Sequence, residues 1–104
     1  MNKAIIMGNL GNAPEIKTLQ SGKKIANFSI ATNKSYNTQN GERVEETTWH
    51  NVVAFGKVVD VIERHFEKGK KYLIEGEIKT ESWDAPDGSK RYATKIYLTN
   101  FEFV

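Results

Sequence analysis

The chain has 104 residues, 38% of them apolar, no cysteine, and a formal net charge of +2 from 15 basic and 13 acidic side chains. This length bounds it to a single domain over residues 1–104, near the lower end of what one hydrophobic core supports. The composition excludes disulfides and Cys-ligated metal, no run approaches the ~18 apolar residues of a membrane span, and so slight a charge does not by itself mark a nucleic-acid binder.

In chain order, "KAIIM" reads as a first strand, and "GNLGNAP" (residues 8–14) breaks it. Met1 leads straight into that strand without the charged and apolar regions of a secretory signal, and the lack of cysteine agrees with a cytoplasmic protein. "KIANFSIATN" (residues 24–33) alternates as a second strand, with Ile25, Asn27, Ser29 and Ala31 against Ala26, Phe28, Ile30 and Thr32. The third strand, "TTWHNVVAFGK" (residues 47–57), puts Trp49, Asn51, Val53 and Phe55 on one face and His50, Val52 and Ala54 on the other. Val52 and Ala54 make the better core face. The opposite side is then either buried as well or a half-exposed surface for something flat.

"KVVDVIERHFEK" (residues 57–68) changes period, with Val58, Val59, Ile62 and Phe66 at helical spacing and Gly69 as a C-terminal stop. "KYLIEGEIK" and "RYATKIYLTNFEF" return to strand, and Ser21-Gly22, Asn40-Gly41 and Asp87-Gly88 supply the turns. Three strands, a helix and two strands predict an all-β protein: a five-stranded Greek-key barrel of the OB-fold type, with one α-helix between strands 3 and 4. A sandwich usually needs more strands and a parallel α/β sheet more helices.

Catalytic patterns are scarce. His50 and His65 fall on different elements and match no metalloprotease spacing. His65, in the last helical turn, needs no role beyond the helix dipole. Asp60, Glu63 and Glu67 share a helix face, which is commonplace on solvated helices. No phosphate-cradling glycine loop or nucleophile elbow is present. No enzyme activity, metal site or cofactor is expected.

The aromatic residues carry more. Tyr36 and Trp83 lie in polar excursions, and Trp49 and Phe55 on the third strand. Lys34 and Arg43 flank the first, Lys57 follows Phe55, and Lys79, Lys90 and Arg91 bracket Trp83. Aromatics that stack on bases, set among cations that follow phosphates, are how proteins hold single strands without reading sequence. Each aromatic also has a structural reading, as core or as a hairpin cap.

At these residues the chain resembles a known family. "NKAIIMGNLGNAPEIK", "GKKIANFSIATNKSY", "EETTWHNVVAFGK", "EKGKKYLIEGEIKTESW" and "DGSKRYATKIYL" are similar, in order and spacing, to the DNA-binding domain of bacterial single-stranded DNA-binding proteins, the SSB family. The resemblance covers essentially the whole chain. It implies an OB-fold that binds single-stranded DNA non-specifically, as a homotetramer, in DNA replication, recombination and repair, and hence a nucleoid-associated location. It implies stacking by Tyr36, Trp49, Phe55 and Trp83. It also implies that residues 3–8, including Lys3, Ile5 and Met7, pair between subunits, with His50 at a subunit contact. Phosphate contacts are expected from Lys3, Lys17, Lys57, Lys68, Lys79, Lys90 and Arg91.

Three departures from the family pattern stand out. Many relatives carry Trp at the position of Tyr36. "KTES" precedes Trp83 where relatives are often basic, and Asn51 replaces an arginine found in some, so weaker binding and a shallower salt dependence are expected. The chain also stops at "TNFEFV", without the linker and acidic tip through which typical members recruit partners, so tail-mediated replication and repair partners are not expected. Two alternatives stay open: a docking module of the primosomal type, and a nuclease on a similar barrel.

Overall fold

The structure, a computed structural model, describes residues 1–104. Its elements run β1 (Ala4–Leu10), β2 (Glu15–Thr18), β3 (Lys24–Asn37), β4 (Arg43–Phe55), α1 (Val58–His65), β5 (Lys71–Asp84) and β6 (Lys90–Phe103). Five strands close into a barrel in the order β1-β3-β4-β6-β5, with β5 returning to β1. All pairings are antiparallel except β4–β6, which run parallel where Val52 and Val53 meet Ile96 and Tyr97. This is the expected five-stranded barrel, with the helix between its third and fourth strands. One element was not expected: "EIKT" forms β2, a short outer strand in which Glu15 to Thr18 pair with Asn27 to Lys24.

The core lies where the alternation put it. Ala26, Phe28, Ile30, Val52, Ala54, Ile74 and Ile96 fill the barrel, joined by Leu10. The helix presents Val59 and Ile62 to them, both fully buried. It is shorter than the predicted residues 57–68 because Phe66 leaves the helical conformation for an extended one. The change swings the Phe66 ring onto Tyr72, stacked at 4.1 Å, and edge-on against Phe28 at 5.5 Å and Phe101 at 5.1 Å. Burying a phenyl ring among three others outweighs the last helical turn.

Closure imposes two contacts that only glycine permits. A Cβ on Gly8 would overlap the Ala31 carbonyl where β1 crosses β3, and one on Gly76 would overlap the Tyr97 carbonyl where β5 crosses β6. Gly76 sits beside a register shift: Glu75 faces Asn100 but Gly76 faces Leu98, which leaves Thr99 as an extra residue on β6. Such a bulge bends the strand and reverses the faces of the residues beyond it.

The two long hairpins, β3–β4 and β5–β6, extend past the barrel as arms and give the molecule its longest dimension of 57 Å. Their tips are tight turns at Gly41 and Gly88, both with positive φ. At the second, Asp87 Oδ1 accepts bonds from the Ser89 amide and hydroxyl. These bonds hold the Asp87 carboxyl below the usual carboxylate value.

Gly76→Ala is expected to destabilise the protein by roughly 1–3 kcal/mol, the usual cost of forcing a methyl into filled space. Urea unfolding at fixed protein concentration measures it, and an unchanged midpoint would mean that the crossing is not a constraint on folding.

Candidate nucleic-acid interface

One outer face of the barrel gathers most of the chemistry. On β4, the outward set is Phe55, Val53, Asn51 and Trp49, which lie opposite Ile25, Asn27, Ser29 and Ala31 of β3. β2 extends the face on one side by placing Lys17 beside Ile25. β6 extends it on the other, where the parallel pairing sets Tyr97 against Val53. Between Trp49 and Phe55 the floor is a polar groove of about 390 Å3, bordered by Asn12, Asn27, Ser29, Asn51, Val53 and Lys95.

Trp49 is 58% exposed, Trp83 50%, Phe55 47% and Tyr36 44%. The barrel core therefore claims none of the four, although each could bury roughly 150–250 Å2. Trp49 is held by a specific seat: its six-membered ring lies directly over Gly11, where any Cβ would strike it. The loop carrying Gly11 is pinned to β3, since the Gly11 N–H donates to the Ser29 carbonyl at 2.9 Å. Asn12 Oδ1 in turn accepts from the Ser29 amide at 2.9 Å and its hydroxyl at 2.7 Å. Phe55 stacks on Tyr97, centroids 5.6 Å apart and planes inclined by 28°.

Tyr97 was missed from the sequence. Plain alternation groups it with Phe101 and Phe103, but the extra residue at Thr99 separates them, leaving Tyr97 outside while Phe101 packs on the core. Its hydroxyl donates to Glu81 Oε1, and Lys79 Nζ lies 4.6 Å from its ring centroid. Lys95 Nζ lies 3.1 Å from the other Glu81 oxygen. Together the Tyr97 hydroxyl and the Lys95 ammonium hold the Glu81 carboxyl below its ordinary value, and the same carboxylate raises the Tyr97 phenol.

The other predicted positions divide. On β5 and β6, Lys79, Trp83 and Arg91 share the outward face with Tyr97, and Arg91 lies 3.7 Å from Asp87. Lys90 pairs with Asp84 and falls on the opposite face of the hairpin from Trp83. Lys17 is on the face, 3.8 Å from Glu15. Lys57 is exposed at the start of α1, two residues past Phe55. Lys68 precedes Gly69, whose N–H bonds the Leu10 carbonyl next to the Trp49 seat. Lys3 lies on the β1–β5 side, ion-paired with Glu75 at 2.8 Å. Tyr36 stands far out on the β3–β4 arm, on the pleat face of Thr32 and His50 rather than that of Trp49, and its hydroxyl donates to Glu46.

A second region forms around β1. Only Asn9 and Leu10 pair with β3, so the Ala4–Gly8 stretch has one unpaired edge. Ile5 and Met7 point outward from it, both more than half exposed. His50 is half-buried nearby, its Nε2 2.9 Å from the Thr32 hydroxyl, and borders an apolar hollow of about 310 Å3 with Ala4, Ile6, Ile78 and Ile96.

The expected helical carboxylate face does not form as such, because Glu67 lies past the end of α1; Asp60 pairs with Lys24 at 3.3 Å and Glu67 with Lys70 at 3.0 Å. No three His, Asp or Glu side chains converge as metal ligands. No helix is long and apolar enough to cross a membrane.

Comparison with known proteins places this geometry. The single-strand binding protein family matches residues 1–104. The chain belongs to that family. It is 38% identical over 105 residues to single-stranded DNA-binding protein 1 of Chlorobaculum tepidum, covering all of this chain and 65% of that protein. It is 44% identical over 103 residues to the single-stranded DNA-binding protein of Rickettsia felis, covering 97% of this chain and 68% of the relative. The chain thus spans about two thirds of the length of these relatives. Among solved structures, the Plasmodium falciparum SSB in complex with ssDNA superimposes with a TM-score of 0.91 at 31% identity, over all of this chain and 95% of that one.

Proposed function

We propose that the chain is a non-catalytic protein that binds single-stranded DNA without reading its sequence and coats exposed strands in replication, recombination and repair. The observation that carries this reading is the set of half-exposed rings on one sheet face, Trp49 on its glycine seat and Phe55 on Tyr97, with a polar groove between them. A single strand offers bare base faces to such rings, and a duplex does not. The strand follows the face from Phe55 past Trp49 and on beneath the arm that carries Trp83. Tyr36 reaches DNA from the other arm. Lys17, Lys57, Lys68, Lys79 and Arg91 lie where they can follow the phosphates. Lys3 and Lys90 are set back, one by its ion pair and one by its face. Association with DNA places the protein at the nucleoid in the cytoplasm.

The assembly follows from β1. An unpaired edge flanked by exposed Ile5 and Met7 is a template for pairing with another chain. We infer a homotetramer in which Lys3, Ile5, Met7 and His50 lie at subunit contacts. Light scattering is expected to give about four times the chain mass of 11.8 kDa, and a monomer mass at micromolar concentration would contradict this. Titration with oligo(dT) is expected to quench tryptophan fluorescence, less so as salt rises, whereas duplex DNA leaves it unchanged. Trp49→Ala is expected to weaken oligo(dT) binding by roughly 1–3 kcal/mol with unchanged far-UV circular dichroism. Equal binding by the variant, or equal quenching by duplex, would overturn the stacking reading.

A further inference from the structure

Carboxylates on the face oppose the proposed ligand: Glu15, Glu77 and Glu81. Glu81 stands on β5 between Lys79 and Trp83, on the outward side. Its carboxylate is taken up by two donors from β6, the Tyr97 hydroxyl and the Lys95 ammonium. Lys79 and Lys95 are directly opposite each other in the hairpin register. Like charges so placed repel, and a carboxylate beside them offsets that repulsion. Lys95 is the less solvated of the two, its side chain only 29% exposed, whereas Lys79 is exposed. One hydroxyl and one ammonium group therefore converge on a single anion, with the Lys79 ammonium over the neighbouring Tyr97 ring.

That donor set suits a phosphate oxygen as well as a carboxylate, since both accept short charge-assisted hydrogen bonds. Its place also suits one. Lys95 borders the groove between Trp49 and Phe55, and the Tyr97 ring whose hydroxyl holds Glu81 is the ring on which Phe55 stacks. The anion thus sits one ring away from where a base would stack.

We propose that Glu81 occupies a phosphodiester site of this face in the free protein, and that the bound strand displaces its carboxylate from Lys95 and Tyr97. This inference rests on the single-stranded DNA reading above. Its consequence is a built-in competitor. Lys95 must give up a protein anion before it engages a phosphate, so affinity is reduced, whereas the cation condensed on that phosphate is still released. Glu81 is also held charged by its two donors, so the competition persists at neutral pH.

A double-mutant cycle tests this, with oligo(dT) affinity read by tryptophan quenching across a salt series for wild type, Glu81→Gln, Lys95→Gln and the double variant. Glu81→Gln keeps the shape and an acceptor for Tyr97 but removes the charge. It is expected to tighten binding by up to about fivefold at low salt, the scale of an exposed ion pair. The slope of log affinity against log salt is expected to stay the same, because both proteins make the same phosphate contact. In the Lys95→Gln background the same change is expected to leave affinity as it is. Unchanged affinity in Glu81→Gln would overturn the inference alone, as would a slope steeper by about 0.7, which would mean that the wild type never makes that contact. So would an equal gain in both backgrounds, which would mean a general effect of charge. Absence of binding by all four proteins would overturn the reading of the function, and this inference with it.

Discussion

Barrel closure through two backbone crossings is the constraint on which the rest of the structure depends. Gly8 passes over Ala31 and Gly76 over Tyr97 with no room for a side chain. The first crossing brings β1 across β3, so that the loop after β1 can lay Gly11 beneath Trp49. The second goes with the bulge that turns Tyr97 outward and Phe101 inward. The same closure leaves the Ala4–Gly8 edge open, because β1 has diverged from β3 before those residues. The ring seat, the second ring under Phe55 and the free edge are three consequences of one geometric requirement.

Exposing large aromatics is normally unfavourable, and the fold limits that cost by giving each ring one covered side. Trp49 rests on a backbone held by three hydrogen bonds, and Phe55 rests on Tyr97. Rings fixed in this way lose little freedom when a base arrives, so less of the stacking energy is consumed in ordering them. The floor between them is short and polar, with Asn27, Ser29 and Asn51, and leaves space for a strand to lie close. Trp83 differs, because it stands on a hairpin arm beyond the barrel, and Tyr36 stands on the other arm, on the opposite pleat face from Trp49.

Most of the architecture was legible in the sequence. Alternation in residues 47–57 identified the core face, that in residues 24–33 separated the two sides of the partner strand, and the change of period after Lys57 located the helix. The Trp49 and Phe55 face was equally legible, since two large rings opposite Val52 and Ala54 contradict a one-sided strand. What escaped detection depended on single-residue offsets. One extra residue at Thr99 reversed the alternation and concealed Tyr97. The turn at residues 85–89 decides that Arg91, not Lys90, shares the face of Trp83. The extended conformation at Phe66 shortened the helix for the sake of an aromatic cluster that forms only in three dimensions. A period of two carries no information about where it slips, and ion pairs such as Lys3 with Glu75 join residues far apart in the chain.

The central claim is that the DNA strand lies on the outward face of β3, β4, β6 and β5. Photo-crosslinking with halogenated oligo(dU), mapped by mass spectrometry, tests it directly because the reactive base must touch the residue it labels. Crosslinks at Trp49, Phe55, Tyr97 and Trp83 are the predicted result. Crosslinks concentrated instead at Phe103, at the helix end of the barrel, and at Tyr92, on the opposite face of the β5–β6 arm, would contradict the account.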